Sequence, residues 1–490
     1  MGVRRGASAA VGAEMQALKA VWPILSNYGY ALTMVAMIYE ATTAMSTSPA
    51  GESESQLSGA PPARLARSAT GVAPHERKAV ILAFLCNFLL LGSYYILRPV
   101  RDTVATIFGV HQLQNLFTAT FVGTLIASPI YAALASRLKL TRLLPGVFWF
   151  WLFNVVLFVV LFRLAPENRW NGAAFYVWFS VANLFMISVF WSLMVDVFSA
   201  RQATRLFALI AAGGAFGAII GPLLTRLLVK KLGLSGMLLL AGVGFLMVIL
   251  LVHLLMREKE QLRRSSDEAQ QSTLDHSLHG NALEGFIQLL KSPYVMSQAA
   301  FMLLMTWINT VAYFFQTDLI ARAFTAIESR AQAIADIDLV VNVVTAAILT
   351  FGLGRIVQRF GVTVGLVLNP LIMIIAFIGI AISPSVFMIQ ALQVVRRVGQ
   401  YAIARPSREI CFTVLEQSGR YKAKNVIDTV IYRFGDVSSA WTQAGLRSAG
   451  FAINGAVALG VGASLVWGAV AVLLGRRYEK IRLQQSSARD

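Results

Sequence analysis

Charged residues inside long apolar stretches are the part of this sequence best suited to chemistry. Arg98, Arg101 and Asp102 lie near the end of the first such stretch. Arg98 and Asp102 are four residues apart, a spacing that allows an ion pair on one helix face, and Arg101 would then be free to bind an anion. Pro99 beside them predicts a broken helix. A simpler interpretation is that these side chains lie where the helix leaves the membrane and extend their charged groups to the aqueous interface.

Arg396 and Arg397 form a second group, in the middle of the tenth apolar stretch. Adjacent side chains point in different directions from a helix, so at least one arginine is expected to face the protein interior or a wet cavity. Guanidinium groups bind phosphate and carboxylate groups through paired hydrogen bonds. The alternative is a structural ion pair with an acidic residue elsewhere, for which the sequence offers Asp196, Asp318 or Asp338.

A third charged group precedes the eleventh apolar stretch. Lys424 and Asp428 are four residues apart, and Arg433 and Asp436 are three apart, so each pair can meet on one helix face. The pattern predicts a charged helix that leads into the stretch. It fits a solvated gate and a ligand-binding segment equally well.

Two sets of candidate residues follow from these groups and from isolated polar residues in neighbouring stretches. The candidate ligand-binding residues are Arg98, Arg101, Asn309, Arg396, Arg397, Tyr401, Lys422 and Lys424. The candidate charge-pairing and gating residues are Asp102, Asp196, Asp318, Asp338, Asp428 and Arg433. A buried carboxylate at Asp102, Asp318 or Asp338 can either carry a proton or neutralise an arginine.

Motifs of common enzymes and metal proteins are absent from the sequence. It contains no phosphate-binding loop of the ATPase type, no cluster of His and Cys with metal-ligand spacing, and no nucleophile elbow. The five histidines are scattered, and the two cysteines, Cys86 and Cys411, are far apart. We therefore expect no enzymatic activity, no cofactor and no bound metal.

The elements that position these residues are apolar helices. Hydrophobic residues make up 57% of the 490 residues, charged residues only 13%, and the mean hydropathy is +0.65. The apolar blocks are about 20 residues long, enough to cross a hydrocarbon core of about 30 Å. The sequence thus predicts an all-α integral membrane protein in a lipid bilayer, with about twelve transmembrane helices in two six-helix bundles. The predicted spans are 79–97, 113–135, 143–164, 173–195, 206–229, 232–256, 295–316, 337–353, 361–382, 385–404, 434–451 and 453–475.

The formal net charge of +18 is explained by membrane topology. Most Lys and Arg residues fall in alternate loops, which places both ends of the helical core on the cytoplasmic side. The expected location is the cytoplasmic (inner) membrane, and nucleic acid is not expected as a partner. The oligomeric state stays open, and a monomer is compatible with the sequence.

A long polar segment, Arg257–Ser292, separates six predicted spans from six. Features of the two parts recur at an offset of about 217 residues, which indicates parallel internal repeats. The N-terminal extension is either poorly ordered or precedes the true start of the protein, and the end of the linker has the spacing of an amphipathic surface helix. The predicted organisation is an extension over 1–77, a first bundle over 78–256, a cytoplasmic linker over 257–293, a second bundle over 294–475 and a cytoplasmic tail over 476–490.

Gly213, Gly217 and Gly221 recur at intervals of four in the fifth span. This spacing leaves one helix face without side chains, so that a neighbouring helix can approach closely. Tight helix packing is the simpler interpretation, and a seam that slides as the two halves move is the alternative.

The segment Asn87–Thr103, which reads NFLLLGSYYILRPVRDT, resembles the first-helix signature of the nucleotide-transporter branch of the major facilitator superfamily. That branch includes ATP/ADP translocases and bacterial NTP/NDP exchange transporter-like proteins. The similarity extends over most of residues 78–475 and is most specific at Ala404–Glu409 and Tyr421–Asp436.

The resemblance implies a transporter of two six-helix halves that rock about a central site lined by spans 1, 4, 5, 7, 10 and 11. It also implies that Arg98, Arg101, Lys422 and Lys424 bind the phosphate groups of the solute, a small phosphorylated anion for which a nucleotide is the first candidate, taken up by exchange. Two alternatives stay open: a proton-coupled carrier of an unrelated metabolite or drug, and a non-transporting membrane sensor or assembly partner on the same fold.

Overall fold

The computed structural model describes residues 72–487 apart from 138–139, 166–167, 266–291, 352, 384, 416–422, 425 and 452. The predicted linker helix, Lys422 and the N-terminal extension up to residue 71 lie outside these residues. The described part of the chain is helical and contains no β-strand.

Long apolar runs without internal turn signals form the helices of both halves. The first half contains α1 (Arg77–Phe108), α2 (Leu113–Arg137), α3 (Leu140–Leu164), α4 (Arg169–Val197) and the run Ala200–Ser265, which divides into α5 (200–232) and α6 (234–265). The second half contains α7 (Pro293–Ala323), α8 (Ile327–Phe351), α9 (Leu353–Ile382), α10 (386–411), α11 (427–448) and α12 (Ile453–Ser487). Two stretches are π-helical: Gly399–Ala404 within α10, and Ile427–Ile431 at the start of α11.

Two glycines interrupt continuous helical runs. The φ angle is 66° at Gly233 and 77° at Gly361, in the left-handed region that glycine adopts without steric cost. Gly233 turns the chain from α5 into α6, and Gly361 separates the first residues of α9 from its long apolar part.

Nine stretches of the described residues are long and apolar enough to cross a membrane. One of them, Arg205–Lys259, contains both α5 and α6, so these stretches account for ten of the twelve helices. The other two helices, α10 and α11, are interrupted by π-helical segments and by charged residues. The prediction of an all-α membrane protein with two six-helix halves is confirmed.

Each half has its own apolar core. In the first half α1 packs along α5 and α6, and the side chains of Phe175, Phe190 and Trp191 are buried nearby. In the second half α12 packs against α7 and α9, where Phe301 lies against Trp467. Because lipid is as apolar as these side chains, close packing rather than exclusion of water holds each half together.

The two halves meet mainly through α5 with α8, α1 with α8 and α2 with α11, and α1 also touches α7. We call the end of the bundle that holds the C-termini of α1 and α7 the sealed end, and the opposite end, where α6 ends and α7 begins, the linker end. At the sealed end Arg447 donates to the Val110 carbonyl oxygen at 2.6 Å, and Trp441 Nε1 donates to Thr118 Oγ1 at 3.0 Å. These hydrogen bonds join the two halves at that end.

The predicted break at Pro99 is wrong. α1 continues through the proline to Phe108. Membrane helices tolerate proline because neighbouring helices and hydroxyl side chains satisfy the freed backbone groups. Arg98 and Asp102 therefore lie well inside the helix rather than at its end.

The predicted start of the eighth span near residue 337 is also wrong. α8 begins at Ile327, because its polar first turns are held by the first half: Gln332 donates to the Arg226 carbonyl oxygen at 3.2 Å. A polar stretch that appears as a loop in the sequence is thus part of the boundary between the halves. The earlier start places Asp338 in the middle of α8.

The glycine face of α5 packs against α1. A side-chain carbon at Gly217 would overlap the carbonyl oxygen of Phe88, and one at Gly221 would lie 2.6 Å from that of Gly92. Gly213 approaches α1 in the same way. These glycines lie inside one half rather than between the halves, which favours the interpretation as tight packing.

Candidate functional site

Asp338 of α8 holds an arginine from each half of the molecule. Arg397 of α10 donates to its Oδ1 at 2.5 Å, and Nη1 of Arg98 on α1 lies 3.6 Å from the same oxygen. The Asp338 side chain is fully buried, and the Arg397 and Arg98 side chains are only 4% and 14% exposed. One carboxylate therefore balances only one of two buried cations at the boundary between the halves.

Arg396, the neighbour of Arg397, has only neutral hydrogen-bond partners among the described residues. Its guanidinium donates to Gln393 Oε1 at 2.6 and 3.0 Å and to Asn309 Oδ1 at 2.7 Å. Asn309 in turn donates to Gln400 Oε1 at 3.1 Å. Amide oxygens satisfy the donors of this buried arginine but leave its positive charge uncompensated.

Arg101 and Asp102 form a second ion pair on α1. Arg101 donates to Asp102 Oδ1 at 2.5 and 2.9 Å, and its guanidinium carbon lies 5.3 Å from the ring centre of Tyr176 on α4. Tyr313 of α7 donates to the same carboxylate oxygen at 3.0 Å. Asp102 thus connects an arginine of the first half with a tyrosine of the second.

Arg433 and Asp436 bring α11 into the same region. The pair is 3.5 Å apart, as its spacing predicts. Arg433 also donates to the Ser180 carbonyl oxygen of α4 at 3.4 Å, and Thr310 of α7 donates to Asp436 at 2.9 Å. Arg101 Nη1 lies 3.5 Å from Ser180 Oγ, so arginines from both halves converge on one residue.

Positive charge exceeds negative charge in this part of the molecule, which we call the central region. Its arginines are Arg98, Arg101, Arg396, Arg397 and Arg433, and its carboxylates are Asp102, Asp338 and Asp436. Five cations and three anions leave two positive charges unbalanced among the described residues here. Such a surplus is costly in an environment of low polarity, and a bound anion would reduce it.

The helices that supply these charges differ in part from the predicted ones. Each charged residue or its direct partner lies on α1, α4, α7, α8, α10 or α11. α8 was not predicted to line the site, and none of these charges comes from α5. The early start of α8 explains the difference, because it places Asp338 at the depth of Arg98.

The predicted pair of Arg98 with Asp102 is wrong. Arg98 reaches across the boundary to Asp338, while the long Arg101 side chain folds back onto the carboxylate of its neighbour. Arg101 is therefore already paired in this structure and is not a free anion-binding group.

The predicted pair of Lys424 with Asp428 is also wrong. Arg408 of α10 pairs with Asp428 at 2.7 Å and with Glu409 at 2.8 Å, and Lys424 pairs with Glu409. Asp428 lies in the π-helical segment Ile427–Ile431, and Arg408 and Glu409 of α10 supply the partners that the two side chains have here. Arg408, Lys424, Glu409 and Asp428 are the two cations and two anions that the described residues contribute to this cluster, which lies within the second half towards the linker end.

Asp196 and Asp318 lie outside the central region. Asp196 pairs with Lys259 at 2.5 Å near the linker end, and Asp318 pairs with Arg322 at 2.9 Å near the sealed end. Of the three acidic residues considered as partners for the adjacent arginines of α10, only Asp338 pairs with one of them.

Tyr401 belongs to the π-helical segment of α10, one turn beyond the adjacent arginines. The guanidinium carbon of Arg405 lies 4.9 Å from its ring centre. π-helical turns often occur at functional sites, because they displace side chains from the regular helical positions. The segment therefore sets the direction of Tyr401 relative to the arginines.

Some residues of this region carry no signal in the sequence. Ser180 and Tyr176 are ordinary residues of an apolar stretch, and only the packing of α4 brings them to Arg101 and Arg433. The polar residues Gln393 and Gln400 gain their role because they surround an arginine on their own helix.

Two six-helix halves with a buried, positively charged region between them define a class of protein: a multi-pass membrane transporter. The chain belongs to the Major Facilitator Superfamily, whose sequence profile matches residues 83–395.

Similar proteins are transporters as well. The chain is 22% identical to ADP,ATP carrier protein 1 of Chlamydia pneumoniae, over 76% of this chain and 85% of that protein. It is 23% identical to ADP,ATP carrier protein 1 of Chlamydia trachomatis serovar D, over 76% and 82%. Among solved structures, a bacterial homolog of the human lysosomal transporter Spinster, inward-facing and unoccupied, gives a TM-score of 0.53 at 16% identity, over 84% of this chain and 98% of that chain. The nucleoside transporter NupG gives a TM-score of 0.53 at 13% identity, over 84% and 99%.

Proposed function

We propose that this transporter exchanges nucleotides, or closely related phosphorylated anions, across the cytoplasmic membrane. The observation that carries the proposal is the surplus of arginine over carboxylate in the central region, above all Arg396 with its neutral partners. A phosphate group has several oxygens that can accept paired hydrogen bonds from a guanidinium group. Its negative charge would also compensate the surplus positive charge of the arginines. The names of the Chlamydia relatives, which are ADP,ATP carriers, support a nucleotide as the anion.

Asp338 would act as an internal counter-ion in this transport. Its carboxylate holds Arg397 of its own half and lies close to Arg98 of the other half. A bound phosphate would compete for one of these arginines and leave the other with Asp338. The number of charges paired in the low-polarity interior therefore depends on whether the solute is bound.

Exchange follows from the same charges. An empty central region keeps two uncompensated cations, and moving them between the two faces of a membrane without a counter-anion is unfavourable. A site that returns loaded with a second anion avoids this penalty. We therefore expect transport to need solute on both sides.

The orientation is part of the proposal. The distribution of basic loops supports a linker end in the cytoplasm and a sealed end outside. The structure would then correspond to a state closed towards the outside, with solute reaching the central region from the cytoplasm.

Uptake into proteoliposomes tests the function. Purified full-length protein is reconstituted with or without internal ATP or ADP, and the entry of labelled ATP is followed. We expect uptake that depends on internal nucleotide and persists when an ionophore removes the proton gradient. Arg396→Gln is expected to raise the KM for ATP at least tenfold, because it removes the unpaired cation without leaving a carboxylate unpaired. Arg163→Gln, which removes an exposed arginine at the end of α3, serves as the matched control.

Each contrary outcome favours a named alternative. Uptake that needs no internal nucleotide and stops with the proton gradient would support a proton-coupled carrier. Nucleotide binding without uptake, in protein shown to be folded, would support a membrane sensor. Equal KM values for wild type, Arg396→Gln and Arg163→Gln would exclude Arg396 from the binding of the anion.

A further inference from the structure

A cavity of about 350 Å³ lies at the sealed end, outside the central region. Helices α7, α11 and α12 of the second half form most of its wall. The connection between α1 and α2 closes it from the first half through Val110 and His111. Its volume falls at the lower end of the range found for sites of small organic ligands, about 300–1,000 Å³.

Much of the wall is apolar. Phe314 and Phe315 of α7 line it and are themselves only 2% and 6% exposed, and Leu446 and Phe451 contribute from the end of α11 and beyond it. A wall of this kind fits the hydrocarbon part of a ligand better than a hydrated inorganic ion.

Gln443 of α11 belongs to this wall and has an unpaired donor buried behind the cavity surface. The residue is 2% exposed, and its Nε2 has no hydrogen-bond partner among the described residues. A buried N–H group without an acceptor destabilises a protein by about 1–3 kcal/mol. A turn of this side chain towards the cavity would bring the donor to an acceptor oxygen of a ligand and remove that penalty.

Arg447 adds a cation to the same wall. Its guanidinium donates to the Val110 carbonyl oxygen at 2.6 Å and lies 5.2 Å from the ring centre of Phe314, and no carboxylate pairs with it among the described residues. The other ionic residues of the second half in the wall, Asp318 and Arg322, pair with each other at 2.9 Å. The cavity therefore combines apolar walls with one uncompensated positive charge and one unused donor.

We propose that this cavity binds an organic anion with an apolar body, such as an acyl chain that ends in a phosphate or carboxylate group, and that the bound anion holds the sealed end closed. The acidic group would accept hydrogen bonds from Arg447 and Gln443, and the chain would lie against Phe314 and Phe315. Val110 and His111 belong to the first half and the other wall residues to the second, so the ligand touches both halves and opposes their separation. This site is separate from the one that carries the transported solute.

Direct binding tests the ligand chemistry. The full chain is placed in nanodiscs of zwitterionic lipid and titrated with radiolabelled octyl phosphate, and empty nanodiscs give the background. We expect saturable binding to the wild type, with a Kd at least tenfold weaker in Arg447→Gln and at least threefold weaker in Gln443→Leu. Arg163→Gln, an exposed arginine at the same end of the bundle, is the matched control and is expected to keep the wild-type Kd.

Competition separates the two requirements of the site. Inorganic phosphate lacks the chain and octyl glucoside lacks the charge, so each is expected to compete at least tenfold less well than octyl phosphate. Equal affinity of the wild type and Arg447→Gln, or equal competition by octyl glucoside, would overturn the proposal. Nanodiscs that contain phosphatidylglycerol identify the source: loss of octyl phosphate binding there assigns the site to an anionic lipid, and unchanged binding assigns it to a soluble anion.

Cross-linking tests the closure of the sealed end. Thr118→Cys and Trp441→Cys place one thiol on each half at that end and outside the cavity wall. Octyl phosphate is expected to raise the rate of their cross-linking by a short bis-thiol reagent at least twofold. An unchanged rate in protein that binds octyl phosphate would overturn the claim that the ligand closes this end. Neither measurement uses transport, so failure of nucleotide exchange would leave this result unaffected.

Discussion

Asp338 of α8 lies 3.6 Å from Arg98 of α1, across the boundary between the two halves of the transporter. The same carboxylate accepts a hydrogen bond from Arg397 of its own half at 2.5 Å. The ion pair that joins the halves is therefore in competition with one inside the second half. A movement that separates α1 from α8 changes the partner of Arg98 but leaves Asp338 paired.

Asp338→Asn is expected to destabilise the protein strongly. The substitution leaves two buried arginines without a carboxylate, and removing one partner of a buried ion pair costs about 3–5 kcal/mol. The control is Asp336→Asn on the same helix, where the 35% exposed carboxylate lies 3.3 Å from Arg226. Exposed pairs contribute only about 0–1 kcal/mol. Thermal unfolding in detergent is the measurement, and equal decreases in Tm for the two variants would contradict the role given to Asp338.

Cross-linking α2 to α11 at the sealed end is expected to stop transport. Trp441 of α11 donates to Thr118 of α2, so cysteines at both positions lie within reach of a short, reducible linker. The native cysteines, Cys86 and Cys411, are buried and should not react. Rocking of the halves requires this end to open, so we expect at least a tenfold loss of uptake that reducing agent restores. Each single-cysteine variant treated with the same reagent is the control, and a cross-linked protein that still transports would contradict the rocking mechanism.

Gly217→Ala is expected to destabilise the first half. A methyl group at this position would overlap the carbonyl oxygen of Phe88 on α1, and overpacking of this kind costs about 1–3 kcal/mol. Gly462→Ala on α12 is the matched control, because an added methyl group there meets nothing within 4 Å. It should leave Tm unchanged or raise it slightly, since alanine favours helix. A lower Tm in the control than in Gly217→Ala would contradict this account of the glycine face.

Asn369→Leu is expected to raise the thermal stability. Asn369 of α9 is 1% exposed, and neither polar atom of its side chain has a hydrogen-bond partner among the described residues. Replacing it with an apolar side chain of similar size removes an unpaired amide that costs about 1–3 kcal/mol. Asn87→Leu is the comparison and is expected to lower Tm, because Asn87 Nδ2 donates to the Ile210 carbonyl oxygen at 3.0 Å and the substitution removes this hydrogen bond. A decrease in Tm for Asn369→Leu would indicate that this amide has a partner in the membrane-embedded protein.

The sequence by itself determined the class of the fold and the kind of charge at its centre. Apolar blocks of about 20 residues can only cross a membrane as helices, because each helix satisfies its own backbone there. At least one of Arg396 and Arg397 within those blocks had to face the interior or a wet cavity, since exposure of a guanidinium to lipid is unfavourable. The short-range pair of Arg433 with Asp436 was also predictable, because it depends only on helix spacing.

Only the tertiary structure decided which charges pair over long distances and which stay unpaired. Arg98 and Asp338 are far apart in the sequence, and their contact depends on the rotation of α1 and on the early start of α8. Lys424 and Asp428 do not pair with each other, because Glu409 and Arg408 of α10 come within reach of them. The physical reason is common to both cases. Spacing along one helix limits which residues of that helix can pair, whereas the packing of the helices decides which residues of other helices come within reach.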